Sequence, residues 1–425
     1  MFRQLRQFGL LAITGVLAIL VLIGCSSLGT DDDGATASDN DDNVVEIAGQ
    51  DADDATDTDD AAVSDDDDAA INEEDEPDSI VDMGVVLSLS GPNAAYGDPS
   101  NRGIELALED FDNGLGPEGI SFSSQTLDDE GSAERGADHF MTHVEDGVDV
   151  ILGPTLSNTA FEAHPVAQDN GVPVLAISNT AAGITDTGDY IFRVSLSEDA
   201  VVPQTVEVIS RAWQPETAAL VFSEDDAWSR SSAEAFRSSA ADEGIEIITE
   251  QDISSEAGDY SEQIDTIADA EPDVILLSAL EGASIAFVTQ AREAGLDQNI
   301  GCGNGCNTGT FIAETGDASE GLILGSAWHI DVDTEQSAAF VERYQSLHGQ
   351  DPDQFSAQAY AGMQILAEAS ARAESIARDA LRDALAELGQ IDTVLGPFSF
   401  DDDRNGSHPA VIKQVRSGEF AIYGK

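Results

Sequence analysis

The chain predicts an α/β fold built on parallel sheets, with enough folded length for two domains. Two observations carry that reading. From about residue 80 to residue 425, short apolar runs alternate with amphipathic stretches. Many of the runs also end in small or turn-forming residues, as in Ser90-Gly91-Pro92 and Gly153-Pro154. In open α/β sheets ligands collect at the carboxyl ends of strands, so these turns are where a site belongs.

Taken in order, strands are expected at 83–89, 121–126, 148–152, 172–177, 218–223, 245–249, 274–278 and 322–325. Helical patterns at 99–112, 133–145, 159–170, 229–243, 260–270 and 284–294 lie between them. From about residue 335 the pattern turns helical, over 335–347, 355–374 and 376–388. It then returns to short strands at 394–400, 411–416 and 420–423. No tandem repeat of solenoid period is present. Two similar α/β halves and a late helical segment predict lobes between which the chain crosses more than once.

The first 25 residues have the layout of an export signal. Arg3 and Arg6 precede an apolar stretch from 9 to 23, followed by Gly24 and Cys25. About 15 apolar residues are too few to cross a bilayer, and the arginines are not the adjacent pair of a folded-export signal. Leu22-Ile23-Gly24-Cys25 looks like a lipobox, whose cysteine is lipidated and tethers the mature chain outside the membrane. An ordinary cleaved signal with a chance cysteine is the plainer alternative.

Residues 26–79 hold 22 of the 83 acidic residues and no basic one. So little apolar surface cannot offset ordering entropy, and like charges repel, which predicts an extended acidic spacer. A cation-binding tail would be weak on dispersed aspartates. With two of the 17 basic residues in the signal, the remaining 346 residues carry a net charge of −46. Lys413 and Lys425 are the only lysines. Such a surface repels itself unless the Debye length is short, which favours adaptation to multimolar salt over mere acidity. The same field repels phosphate, so nucleic acid is not an expected partner.

Catalytic motifs give little. Gly114-Leu115-Gly116-Pro117-Glu118-Gly119 matches GxGxxG but follows a helix pattern and precedes a strand, the reverse of a dinucleotide site. The run from Asp401 to Gly406 begins like a calcium loop, yet its twelfth position is Ile412 rather than a bidentate Glu. Six scattered histidines form no evident triad or zinc site, and paired carboxylates carry no information in so acidic a chain. No enzyme is expected. Cys302 and Cys306, separated by Gly303-Asn304-Gly305, are the thiols that remain after Cys25. An exported protein meets an oxidising environment, so a small disulfide loop is expected, with free thiols or a metal as alternatives.

Read in order, the strand ends resemble the branched-chain amino-acid-binding proteins of ABC importers. The resemblance rests on Ser88-Leu89-Ser90-Gly91-Pro92-Asn93-Ala94-Ala95-Tyr96-Gly97, Ile151-Leu152-Gly153-Pro154-Thr155-Leu156-Ser157, Gly171-Val172-Pro173-Val174 and Tyr190-Ile191-Phe192-Arg193-Val194. Further along stand Gln290-Ala291-Arg292-Glu293-Ala294-Gly295-Leu296, Glu320-Gly321 and Leu395-Gly396-Pro397-Phe398-Ser399-Phe400-Asp401, so that it covers residues 80–425. It implies a type I periplasmic-binding fold, with two doubly wound lobes joined by three crossovers near 193–197, 326–330 and 392–395. The lobes would be 80–194 with 328–392 and 195–327 with 393–425. The implied function is capture of a small solute in a closing cleft and delivery to permease subunits with their ATPases, without a cofactor. A ligand-sensing adaptor for a receptor is the rival reading.

Site roles transfer residue by residue. Tyr96 matches an aromatic lining the cleft, and Ser157 the hydroxyl that binds a ligand carboxylate at a helix start. Ser178 and Thr180 match the positions that offer a backbone carbonyl and a hydroxyl with an amide. Trp228 matches the aromatic lid of the second lobe. Asn304 falls where amino-acid-binding members carry an acid for the ligand ammonium, and Glu281 is a possible substitute. That departure keeps small amides, ureas and other carboxylates open beside an amino acid.

Overall fold

The computed structural model describes residues 79–254 and 258–425. The expected export signal with Cys25, and the expected acidic spacer up to residue 78, lie outside them. Among the described residues no helix is long and apolar enough to cross a membrane.

The first sheet is five-stranded and wholly parallel. It uses β1 (Ser79–Leu87), β2 (Ile120–Asp128), β3 (Val150–Leu152), β4 (Val174–Ala176) and β5 (Ile191–Arg193), in the order β2-β1-β3-β4-β5. The helices α1 (Ala94–Asp110), α2 (Ala133–Asp146) and α3 (Ser157–Asp169) fill the connections. Both faces of the sheet are covered, so β1 reads as a near-continuous apolar run. Val81, Met83, Val85 and Leu87 face one core, and Val86 faces the other.

The second sheet has seven strands, in the order β15-β14-β10-β9-β8-β6-β7. These are β6 (Thr217–Phe222), β7 (Glu246–Asp252), β8 (Val274–Ser278), β9 (Asn299–Cys302), β10 (Ile323–Ser326), β14 (Val411–Arg416) and β15 (Glu419–Ile422). The first five run parallel, and β14 and β15 close the edge as an antiparallel hairpin. Around them pack α4 (Glu198–Trp213), α5 (Ala227–Asp242), α6 (Ser261–Ala270), α7 (Glu281–Glu293) and α8 (Gly309–Thr315). On β8, Ile275 and Leu277 face one core while Val274 and Leu276 face the opposite one.

The chain passes between the sheets three times. It leaves the first after β5 to begin α4, and returns after β10 through Trp328. Residues in α9 (Glu335–His348), α10 (Gln354–Arg372) and α11 (Arg378–Ala386) then join the first sheet's core, among them Phe340, Tyr344, Tyr360 and Leu381. It finally goes back through β11 (Ile391–Thr393), β12 (Gly396–Phe400) and β13 (Gly406–Ser407) to β14. Phe398 of β12 lies in the first sheet's core. Residues 401–405 form the turn between β12 and β13, where Asp401 accepts from the amides of Asp403 and Asn405. Together the two doubly wound sheets and their three connections form the type I periplasmic-binding architecture.

Six elements have no counterpart in the sequence reading: β5, α4, β9, α8, β11 and β13. The α4 segment carries Pro203 and the β-branched Val201, Val202, Val206, Val208 and Ile209, all poor helix formers. Burial of Val202, Val206 and Ile209 outweighs that local preference. β9 reads Asn-Ile-Gly-Cys, too short and glycine-broken to register as a strand on its own.

Candidate ligand-binding site

A cleft of about 380 Å³, open solvent included, lies between the two sheets. It collects the carboxyl ends of the strands at both places where strand order reverses, between β1 and β3 and between β6 and β8. Tyr96, Thr155, Leu156, Ser157, Ser178 and Thr180 come from the first lobe, with Phe355 from α10. Asp226, Trp228, Leu280, Asn304 and Gly305 face them from the second. A larger groove, about 1690 Å³ with its open solvent, is lined by residues such as Leu115, Arg343 and Arg372 and shares none with the cleft.

Six of the seven residues singled out in the sequence therefore line one cleft, and Glu281 does not. Its carboxylate turns to the hydroxyl of Thr308 and is buried in the second lobe, where burial pushes its pKa up. What Glu281 contributes at the cleft is its backbone amide, which donates to the Tyr96 hydroxyl at 2.6 Å.

Ser157 is the first residue of α3 and does not cap it. The N-cap position is Leu156, which has no side-chain oxygen to offer. The first N–H groups of the helix have no intrahelical acceptor and form a ready anion-binding end. The Ser157 hydroxyl accepts weakly from Ala181 N at 3.4 Å and keeps its proton for another acceptor. The Ser178 hydroxyl is committed to Thr155 O at 2.8 Å, which leaves its backbone as the group to face a ligand.

Thr180 departs from expectation, because its hydroxyl donates to the Glu198 carboxylate at 2.7 Å. The Trp228 indole N–H donates to the same Oε1 atom at 2.7 Å. Glu198 thus lies directly behind two wall residues, fully buried, and burial pushes its carboxyl upward against the pull of those two donors. Asn304 Oδ1 accepts from Asn307 at 3.1 Å and from Gln354.

Asp226 also lines the cleft and escaped the sequence reading as a site residue. Its Oδ1 caps α5 through Ser229 N at 2.7 Å, the signal of an Asp three residues before a helix-start serine. Burial pushes its carboxyl up, against the pull of that amide. Glu198 and Phe355 carry no sequence signal at all, since only the crossovers bring α4 and α10 to the cleft.

Hydrogen bonds join the lobes across the cleft. The Tyr96 hydroxyl donates to Gly305 O at 3.1 Å. Asn158 of α3 donates to Asp226 Oδ2 at 2.8 Å and accepts from Ala227 N at 2.8 Å. Ala182 N donates to the Ser231 hydroxyl at 2.8 Å. The lobes are closed on each other. Beneath Asn304, Cys302 and Cys306 form a disulfide with a Cα–Cα distance of 6.3 Å, both buried.

Residues 81–419 match the periplasmic binding protein family. The chain is 26% identical over 364 residues to a Leu/Ile/Val-binding protein homolog of Brucella abortus, covering 78% of this chain and 88% of the relative. A leucine-binding protein of Thermotoga maritima superposes with TM-score 0.77 at 20% identity, over 81% of this chain and 98% of its own. A solute-binding protein of an ABC transporter from R. palustris, in complex with benzoate, superposes with TM-score 0.74 at 22% identity, over 81% and 96%. With this fold, this interlobe cleft and a match spanning most of its length, the chain belongs to the periplasmic binding protein family.

Proposed function

We propose that the protein captures a small amino acid between its lobes and delivers it to the permease of an ABC importer. The observation that carries this reading is the polarity of the cleft. One wall ends in the N-terminus of α3 with the Ser157 hydroxyl, suited to a carboxylate. The opposite side offers acceptors, with Asp226 in the lining and no lysine or arginine. A zwitterion satisfies both ends. Ser178 supplies a backbone carbonyl to the ammonium, Tyr96 and Phe355 flank the side chain, and Trp228 closes over it. Thr180 contributes its amide, since its hydroxyl is engaged. Asn304 bounds the floor of the cleft.

The lobes are 80–194 with 328–392 and 195–327 with 393–425, the β12–β13 hairpin resting on the first lobe's core. Cys25 carries a lipid that holds the mature chain on the outer face of the cell membrane, and residues 26–79 are its spacer. The −46 charge of the body suits molar salt.

A second reading is favoured by the aromatic faces of Tyr96, Trp228 and Phe355 together with the benzoate complex of the R. palustris neighbour. On that reading the ligand is an aromatic carboxylate. Thermal-shift screening in molar salt separates the two, because a ligand specific for the folded state raises Tm by mass action. Stabilisation by an amino acid supports the first reading. Stabilisation by benzoate and by no amino acid defeats it.

A further inference from the structure

Lys413, one of the chain's two lysines, is buried on β14 rather than exposed at the surface. We infer that Lys413 and the Ala327 N–H together hold the Asn304 side chain with its amide NH2 towards the cleft, which selects an amino acid whose side chain ends in a neutral oxygen acceptor, as a side-chain amide does. This rests on the amino-acid reading above and names the class of side chain.

An amide side chain has a donor end and an acceptor end, so its partners fix which way it points. Two chains of hydrogen bonds reach Asn304, and each starts from a group that donates. The first starts at the Lys413 ammonium, which donates to Asn307 Oδ1 and lies 4.4 Å from the centre of the Phe420 ring. With its oxygen committed, Asn307 donates through Nδ2 to Asn304 Oδ1 and to the Ser326 hydroxyl, both at 3.1 Å. The second starts at the backbone. Ala327 N donates to Gln354 Oε1 at 3.0 Å, which leaves Gln354 Nε2 to donate to Asn304 Oδ1. Lys413, Asn307 and Gln354 are all buried, so turning either amide would strand its partners.

Both chains end on the same atom. Asn304 Oδ1 takes two donors, and Nδ2 is the end that remains for the cleft it lines. Among the described residues no acceptor meets that Nδ2. Burial lowers the Lys413 pKa to about 7, against the attraction of Asp353. The Ala327 N–H does not titrate, so the orientation persists on both sides of neutrality. In the open form water satisfies the Asn304 NH2. When the lobes close on an aliphatic side chain that donor is stranded, whereas an oxygen on the solute replaces the water. A second carboxylate fits poorly, because Asp226 lines the cleft and no lysine or arginine does. A neutral carbonyl oxygen fits.

The test is calorimetric titration in molar salt with glutamine, methionine and methionine sulfoxide, and with asparagine, leucine and β-cyanoalanine. In each set the second ligand approximates the shape without the oxygen, and the third has an acceptor but no side-chain donor. In one set, the amide and the acceptor-only ligand should bind the wild-type protein about 5- to 150-fold more tightly than the apolar one. Asn304→Asp keeps an oxygen for Asn307 and Gln354 but replaces the donor facing the cleft with an acceptor. It should lose the acceptor-only ligand and keep the amide, which can present its own NH2. Lys413→Met keeps an apolar stem beside Phe420 and removes the donor. The ratio of amide to apolar affinity should then fall about fivefold, where a merely structural role would weaken both ligands alike. An unchanged ratio overturns the role of Lys413. Apolar ligands that bind the wild-type protein as tightly as the amides overturn the inference and leave the amino-acid reading standing, as does an acceptor-only ligand that Asn304→Asp still binds. If no amino acid binds the wild-type protein, both fail.

Discussion

Removing one oxygen atom, in Tyr96→Phe, separates closure of the cleft from its shape. The Tyr96 hydroxyl donates to Gly305 O at 3.1 Å and accepts from Glu281 N at 2.6 Å, both on the facing lobe. Phenylalanine keeps the packing on Phe355, whose ring centroid lies 5.2 Å away. It leaves a buried amide and a buried carbonyl unpaired in the closed form, whereas water satisfies them in the open one. A net hydrogen bond contributes about 0.5–1.5 kcal/mol, and a stranded buried group costs about 1–3 kcal/mol. The closed form should therefore lose about 2–3 kcal/mol against the open form, or roughly 30- to 150-fold in population. Affinity for a solute that binds the closed form falls by up to that factor. Calorimetric titration with the amino acid found by thermal-shift screening measures it, and small-angle scattering reads the compaction on binding. Wild-type affinity together with wild-type compaction would refute the latch.

Three further outcomes follow from other parts of the molecule. Asn158→Ala removes both bonds to the start of α5 and should speed ligand release about tenfold, read by stopped-flow fluorescence of Trp228. Gly305→Ala would place a Cβ 2.0 Å from Ala279 O and 3.0 Å from the Trp228 ring, so it should distort the cleft and abolish binding; retained affinity would contradict the placement of that loop. His164 is held neutral by burial, its pKa lowered to about 4 from 6.5. The unfolded chain then binds the extra proton as pH falls from 6.5 towards 4, so stability is full above that window and lost through it. The loss is at most about 3 kcal/mol; melting curves of wild type and His164→Gln over that range should converge at low pH.

How far the site was legible depended on where each residue sits in the chain. Tyr96, Ser157, Ser178 and Thr180 follow strands β1, β3 and β4 directly, where an α/β sheet places its ligands. Trp228 and Asn304 follow β6 and β9 in the same way. Glu198 could not be read so, because it opens a helix whose valines and Pro203 argue against helix formation. Glu281 was misread for a different reason. It follows the right strand, β8, but as the first residue of α7 its side chain turns to Thr308 while its amide faces the cleft. Strand-end position fixes the backbone far better than the direction of a side chain.

The most direct test of the account is a crystal structure of the protein with its tightest-binding amino acid. The account predicts the amino acid between Ser157 and Trp228, its carboxylate on the first turn of α3 and its ammonium at the Ser178 carbonyl. A ligand bound outside the interlobe cleft, or one with its carboxylate turned away from the first turn of α3, would contradict it.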